Sequence, residues 1–403
     1  MGKTCAVVGR GGFALRCAEL ASERLRPTVL CSPDGSLAAF AAARGLPHVA
    51  APRDLAALLA ETPVDFLFSV DNPFLLRSDV LRGVRERAVN YHDSLLPDLA
   101  GLNACSWSIL EGRTRHGITF HAIDEGIDTG AILLQREVPV EADERGSTLS
   151  AKCFETGLLA FEELVAACAD GELGSRPQPP GGTYRGRRDR PPAGGFLDSA
   201  MSAEDLERTV RALDLGPSPN ALGAARAIVD GEVLVVRAAA IGRGTGPVLE
   251  TATGPLTLVA LEGMDGLPVR PLAGAIATGP APELVDLDRR SGPHEAFWLR
   301  RWARGGFRHP MADGRSGRAR RHRSPAMATA LQALADRLGR GAVHAATLVV
   351  MAHARRLAVG PDPSTVAFRG PGQAAADGRA YAPWVPLGGP NLDASVAEWA
   401  EWL

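Results

Sequence analysis

Apolar residues fall into two rhythms along the first third of the chain, and the two alternate. Short apolar or β-branched runs predict strands at Thr4 to Val8, Thr28 to Cys31 and Phe66 to Val70. Between them, spaced apolar positions predict helices over Phe13 to Glu23, Leu37 to Arg44 and Pro52 to Glu61. The run Phe66-Leu67-Phe68-Ser69-Val70 is apolar on both faces, as a strand buried inside a sheet must be. Further on, Val89 to His92 predicts a strand with a polar end, and Asp98 to Gly112 contains a helical stretch. Gly117 to His121 and Ala131 to Val138 alternate as strands, and Thr148 to Ala169 has the period of a long helix, with Ser147 or Asp143 as its cap. Strand–helix alternation of this kind implies an α/β domain with a Rossmann-like, doubly wound, mostly parallel sheet.

The pattern breaks at Gly171 to Gly195, which holds five prolines, seven glycines and the basic run Arg185 to Arg190. Such composition predicts a linker. A helix is expected over Ser202 to Leu213. Short alternating runs at Glu232 to Arg237, Pro247 to Ala252 and Leu256 to Leu261 then predict a small β-barrel or sandwich. A second shift falls near Pro280. Beyond it, helices are expected over Pro293 to Arg304, Ala326 to Leu357 and Leu392 to Leu403, with a basic, Gly-rich loop from Gly305 to Ser324. The expected units are therefore 1–175, a linker at 176–195, a barrel-like domain at 196–280 and a mainly helical segment at 281–403.

Composition narrows the function classes. Two or three domains suit 403 residues, and 45% hydrophobic residues are too many for a disordered chain. The charges balance to -2, which points away from nucleic acid and from anionic membranes. The apolar stretches fall short of the ~20 residues a membrane helix needs. The start, Met1 to Cys5, leads directly into a strand without a signal-peptide pattern. The six cysteines form no C-x-x-C pair, so no zinc or redox motif is visible and no metal is expected. Reduced cysteines in a cytoplasmic protein are the natural reading.

Candidate chemistry lies at Asn90, His92 and Asp128. On the strand reading these residues reach the same end of a parallel sheet, where open α/β sheets bind ligands. A histidine with a carboxylate and an amide donor suits acyl transfer. The histidine can polarise an acyl oxygen or move a proton. The amide can donate to the oxyanion of a tetrahedral intermediate. The carboxylate can favour the imidazolium and order a water.

The context of these residues is specific. Asn90-Tyr91-His92-Asp93-Ser94-Leu95-Leu96-Pro97, then Gly101, Trp107, Gly112, Gly117 to His121 and Asp124-Glu125-Gly126-Ile127-Asp128-Thr129-Gly130 resemble the core of the folate-dependent formyltransferases. The resemblance implies Asn90, His92 and Asp128 as catalytic residues and 10-formyltetrahydrofolate, or its formimino counterpart, as donor. It implies that Ser94 and Leu96 shape the floor of the site. Asn72, Pro73, Phe74, Leu75 and Leu76 match a folate-contacting loop, and Ile123, Asp124, Gly126 and Ile127 a second one. Asp93 departs from the family, where proline is common. Gly9-Arg10-Gly11-Gly12 lacks full dinucleotide-loop spacing, and a tight strand-to-helix turn is expected there. Gly11 to Glu19 is similar to the formylating domains of peptide synthetases. Residues 189–278 resemble the family's C-terminal barrel. Residues 281–403 resemble a condensation-domain remnant without its catalytic motif. The resemblance thus implies formyl transfer to an amine-bearing small molecule or carrier-bound acceptor, with a homodimer as a further expectation. Formimino transfer, hydrolysis of the donor and a retired scaffold are the alternatives.

Overall fold

The computed structural model describes residues 2–218, 220–230, 232–263, 267–269 and 277–280, with short pieces at 285, 366–368 and 385–387. The helices expected at Pro293 to Arg304, Ala326 to Leu357 and Leu392 to Leu403, and the condensation-like likeness of 281–403, lie outside the described residues.

The first unit runs β1 (Thr4–Gly9), α1 (Gly11–Arg24), β2 (Arg26–Cys31), α2 (Ala38–Ala43), β3 (His48–Val49), α3 (Pro52–Glu61), β4 (Val64–Val70), α4 (Ser78–Leu81) and β5 (Val84–His92). It continues with β6 (Ala100–Gly101), α5 (Ala104–Leu110), β7 (Arg115–Ala122), β8 (Ile132–Pro139) and α6 (Gly146–Asp170). Seven strands form one sheet in the order β3-β2-β1-β4-β5-β7-β8. The first five are mutually parallel, and β7 and β8 add to β5 as an antiparallel hairpin. The sheet is mostly parallel, as expected, but its functional edge is not.

Alternation along the central strands assigns each residue to a face. Cys5 and Val7 of β1, Phe66 and Phe68 of β4, Val89 and Tyr91 of β5, and Ile118 and Phe120 of β7 share one core with α1, α2 and α6. Ala6, Val8 and Leu67 face the opposite way, into a second core with Leu55 and Leu59 of α3 and Val80 of α4. This two-sided burial is why Val7 and Val8 are both fully enclosed. Gly9 ends β1 where a Cβ would stand 2.0 Å from the Val70 carbonyl oxygen, so the turn into α1 is as tight as its glycines imply.

The long helix starts at Gly146, and its cap is Arg145, not Ser147 or Asp143. The Arg145 N–H donates to Thr148 Oγ1 at 3.1 Å, while the Ser147 N–H donates to the Asp214 carbonyl at 2.8 Å. Ser147 therefore lies inside the first turn, its backbone tied to a residue of the second unit.

Residues 176–195 lie along the first unit. Arg176 bridges to Ile132, and β9 (Tyr184–Arg185) pairs with β6. The second unit holds α7 (Ala203–Leu213), β10 (Arg226–Val229), β11 (Glu232–Ile241), β12 (Val248–Thr251), β13 (Gly254–Glu262), β14 (Pro268–Val269) and β15 (Ala277–Thr278). Ser202 caps α7 by accepting from the Asp205 N–H at 3.0 Å. The strands form one antiparallel sheet ordered β12-β13-β11-β10-β15, with β14 on β13. It curls as a half-barrel around α7, and its core takes in Leu99, Ala104 and Trp107 of the first unit. Among the described residues, no helix is long and apolar enough to cross a membrane.

The first core depends on Phe161, which is fully enclosed with its ring 5.1 Å from Phe68 and 5.7 Å from Phe120. Phe161→Ala is expected to cost about 3–5 kcal/mol in urea unfolding, as a cavity between α6 and the sheet. A loss below about 1 kcal/mol would mean that helix and sheet do not share this core.

Candidate active site

The face that buries Leu67 turns polar at the carboxyl end of β4 and β5. Ser69 pairs with Asn90 in parallel register. Across the antiparallel seam Asn90 lies opposite His121 and His92 opposite Thr119. A strand repeat of two thus lines up Ser69, Asn90, His92, Thr119 and His121 on one face, while Tyr91 and Phe120 go to the core behind.

Asp128 joins this row from a loop. Parallel strands do not deliver it: β7 runs against β5, so its end at Ala122 lies beside Val89. The chain then folds back over the sheet before β8 begins. Asp124 Oδ1 accepts from the Gly126 N–H at 3.0 Å and from Thr129 Oγ1 at 2.7 Å. Gly130 passes so close to β7 that a Cβ would stand 1.8 Å from the Ala122 carbonyl oxygen. Asp128 itself sits at φ 56, in the left-handed region. Gln178 Nε2 locks the loop by donating to the Asp128 and Gly130 carbonyls at 2.7 and 2.8 Å.

The hydrogen bonds at this cluster divide by length. Short ones position: Ser69 Oγ donates to Asn90 Oδ1 at 2.9 Å, and the Gly101 N–H donates to Asp128 Oδ2 at 2.8 Å. His92 Nε2 lies 2.8 Å from the Leu99 carbonyl. A carbonyl only accepts, so Nε2 carries a proton and Nδ1 faces the site. By the same argument His121 Nδ1 donates to the Ala122 carbonyl at 2.9 Å. Its Nε2 accepts from Asn90 Nδ2 at 3.1 Å when the ring is neutral. The contacts to Asp128 are long: Asn90 Nδ2 at 3.4 Å, His121 Nε2 at 3.4 Å and His92 Nδ1 at 3.5 Å. Bonds of that length are weak and easily exchanged for a ligand.

Burial pushes the Asp128 carboxyl up, but the His121 hydrogen bond, the charge at His92 and the Gly101 amide together hold it below its ordinary value. The cluster therefore presents an ionised, enclosed carboxylate beside two imidazoles and an amide.

The structure brings Asn90, His92 and Asp128 together. His121, part of the quoted Gly117 to His121 run, was given no role in the sequence reading; its alternation with Phe120 was the available signal. Gln178 was hidden in a proline-rich stretch. Ser94 is enclosed, with Oγ donating to the Asp98 carbonyl at 2.6 Å, and the Leu96 N–H donates to Thr119 Oγ1 at 3.2 Å. Asn72 reaches the cluster through Ser69, to which its Nδ2 donates at 3.2 Å. Pro73, Asp124 and Gly126 are exposed. So are the apolar side chains Phe74, Leu75 and Ile127, at 40%, 68% and 43%. Leu76 and Ile123 instead pack on the core beneath α3 and α4. A cavity of about 240 Å3 lies beside Leu99, Arg113, Arg115 and His116, and none of Asn90, His92 and Asp128 lines it. Among the described residues, the one group of metal-type donors that converges is Cys105, His116 and Cys153, apart from this cluster.

The family profile described as Formyl transferase matches residues 23–164. Those limits span β5, the fold-back loop and most of α6. Residues 23–164 form a formyl transferase domain. The chain is 31% identical over 172 residues to GDP-perosamine N-formyltransferase of Brucella melitensis, covering 43% of this chain and 64% of the relative. It is 33% identical over 185 residues to methionyl-tRNA formyltransferase of Myxococcus xanthus, covering 45% and 56%. The chain therefore spans under two thirds of either relative. A solved sugar 3N-formyltransferase superposes with a TM-score of 0.49 at 16% identity, over 69% of this chain and 98% of that one.

The depressed Asp128 value sets a sign for acid stability. Its contribution is complete above the unfolded carboxyl value of about 3.9 and is lost as pH falls through the lower folded value. Urea midpoints measured across that window should fall more steeply for the native chain than for Asp128→Asn. Parallel declines would mean that Asp128 is not held ionised by its neighbours.

Proposed function

We propose that the chain transfers a formyl group from 10-formyltetrahydrofolate to a primary amine of a small-molecule or carrier-bound acceptor. The observation that carries this reading is the convergence of Asn90, His92 and Asp128, held by short bonds from behind and by long ones to each other.

The amine lone pair attacks the formyl carbon, and the carbonyl electrons move to oxygen. Asn90 Nδ2 and protonated His92 Nδ1 exchange their weak contacts to Asp128 for the new oxyanion. Such a donor is worth about 3–4 kcal/mol of barrier where it has been removed from other enzymes. Asp128, through a water, takes the proton the amine sheds. The carbon–nitrogen bond to the folate then breaks, and its nitrogen regains a proton as tetrahydrofolate leaves. Each atom is accounted for by the chain's own groups and the two substrates. The exposed apolar residues of the two loops, Phe74, Leu75 and Ile127, suit the flat face of a pterin.

A small or carrier-bound acceptor is supported by the balanced charge of -2, which offers no broad basic excess for tRNA. The name of the Brucella relative, a nucleotide-sugar enzyme, points the same way. A place in natural-product or non-ribosomal peptide assembly rests on the likeness of Gly11 to Glu19 to synthetase domains. There Cys17 and Ala18 are wholly enclosed, so that likeness speaks of ancestry, not of acceptor contact. The six buried, unbridged cysteines fit a reducing, cytoplasmic setting.

The test incubates the protein with 10-formyltetrahydrofolate and an amine panel of aminosugar nucleotides, amino acids and carrier-bound aminoacyl groups, read by mass spectrometry. A gain of about 28 mass units marks formyl transfer, and about 27 with a formimino donor would reassign the group moved. Asn90→Ala should lose about 10²–10³-fold in kcat, and His92→Ala should lose most turnover with its fold intact. Unchanged rates in both variants would remove these residues from the mechanism.

A further inference from the structure

Behind the catalytic row, on the opposite face of the same strands, lies a second polar cluster. His92 faces the site; Asp93, the next residue, turns the other way, onto the face of Tyr91. His116 belongs to that face too, two residues before Ile118 and four before Phe120. Cys105 reaches it from α5 and Cys153 from α6. Cys105, His116 and Cys153 are all enclosed, and their ligand atoms lie within 4.8 Å of one another.

The distances among Cys105, His116 and Cys153 suit ligands of one ion. Cys105 Sγ stands 3.9 Å from Cys153 Sγ, 3.5 Å from His116 Nε2 and 3.2 Å from Asp93 Oδ2. Zinc bonds of ~2.3 Å to sulfur and ~2.0–2.1 Å to nitrogen or oxygen give tetrahedral edges of about 3.8 Å between sulfurs and about 3.6 Å from sulfur to a lighter donor. Each observed separation falls within about half an ångström of its edge. The donor set is also the right chemistry: two soft thiols and an imidazole, all enclosed, with the Asp93 carboxylate against one of the thiols. Around Cys105 and Cys153 stand Tyr91, Phe120, Leu149 and Ile118, an apolar core in which a buried imidazole is costly without a partner.

We propose that Cys105, His116 and Cys153 bind a zinc ion, with its fourth position on the side of Asp93, which contacts Cys105. The site ties three elements together at one point: the start of α5, β7 and α6. Binding converts both thiols to thiolates and releases their protons. Local spacing could not reveal the set, because Cys105 lies 12 residues from Asp93, 11 from His116 and 48 from Cys153. Asp93, the departure from the family's proline, acquires a reason. The cavity that His116 helps to line is a route for the ion to enter.

The test is metal analysis of the full chain, expressed in zinc-supplemented medium and freed of loose metal by gel filtration. The expected result is one zinc per chain. X-ray absorption should show two sulfurs at about 2.3 Å and two lighter donors at about 2.0–2.1 Å. Cys105→Ser and Cys153→Ser should each lose the metal, His116→Cys should retain it with a third sulfur, and Asn90→Ala should keep it in full. Where the serine variants fail to fold, the native chain decides the matter alone. Less than a tenth of an equivalent of zinc in the native chain would overturn the proposal. So would a Cys105–Cys153 disulfide in the non-reduced protein, or a bound zinc lacking sulfur neighbours.

Discussion

One carboxylate in a left-handed backbone position organises the site. Asp128 touches Asn90, His92 and His121, yet it belongs to no strand and no helix. It reaches them because the β7–β8 connection folds back over the sheet and is pinned there from two sides. Gly130 passes against the Ala122 carbonyl at a distance only glycine permits, and Gln178 holds the carbonyls of Asp128 and Gly130. With the loop so fixed, the carboxylate stays enclosed and ionised. Its contacts to Asn90, His121 and His92 are long, and on the proposed mechanism they are what the reacting group displaces.

The second constraint is the change of direction between β5 and β7. Five parallel strands would end in a simple crevice. The antiparallel hairpin instead brings His121 opposite Asn90 and Thr119 opposite His92, so donors from two strands form one row. Alternation then makes the same residues serve two purposes. Asn90 and His92 of β5 face the candidate site, and Val89 and Tyr91 join the core with α6. A shift by one residue would turn the imidazole into that core and the tyrosine into the polar row.

Much of this was legible in the amino-acid sequence, and what was not has physical causes. Apolar runs located β1, β2 and β4, and Pro52 to Glu61 marks α3 to the residue. The residues Asn90, His92 and Asp128 were legible because the motifs around them, Asn90 to Pro97 and Asp124 to Gly130, resemble those of the formyltransferases. β5 extends back to Val84, but Arg85, Glu86 and Arg87 are exposed, so no apolar signal marks that half. The cap of α6 was misplaced because Arg145 is not a residue type that marks a helix start. Gln178 sits in a stretch whose composition predicts only a linker. The route of Asp128 was misread because a sequence does not state strand direction.

The central claim is that a formyl donor meets Asn90 and His92 on the open side of this row. A crystal structure with a stable 10-formyl folate analogue, without acceptor, tests it most directly. The account predicts the formyl oxygen within about 3 Å of Asn90 Nδ2 and His92 Nδ1, the contacts of both to Asp128 lengthened, and the ring against Phe74 or Ile127. An analogue bound instead in the cavity beside Arg113 and Arg115, with Asn90 still joined to His121 and Asp128, would contradict it.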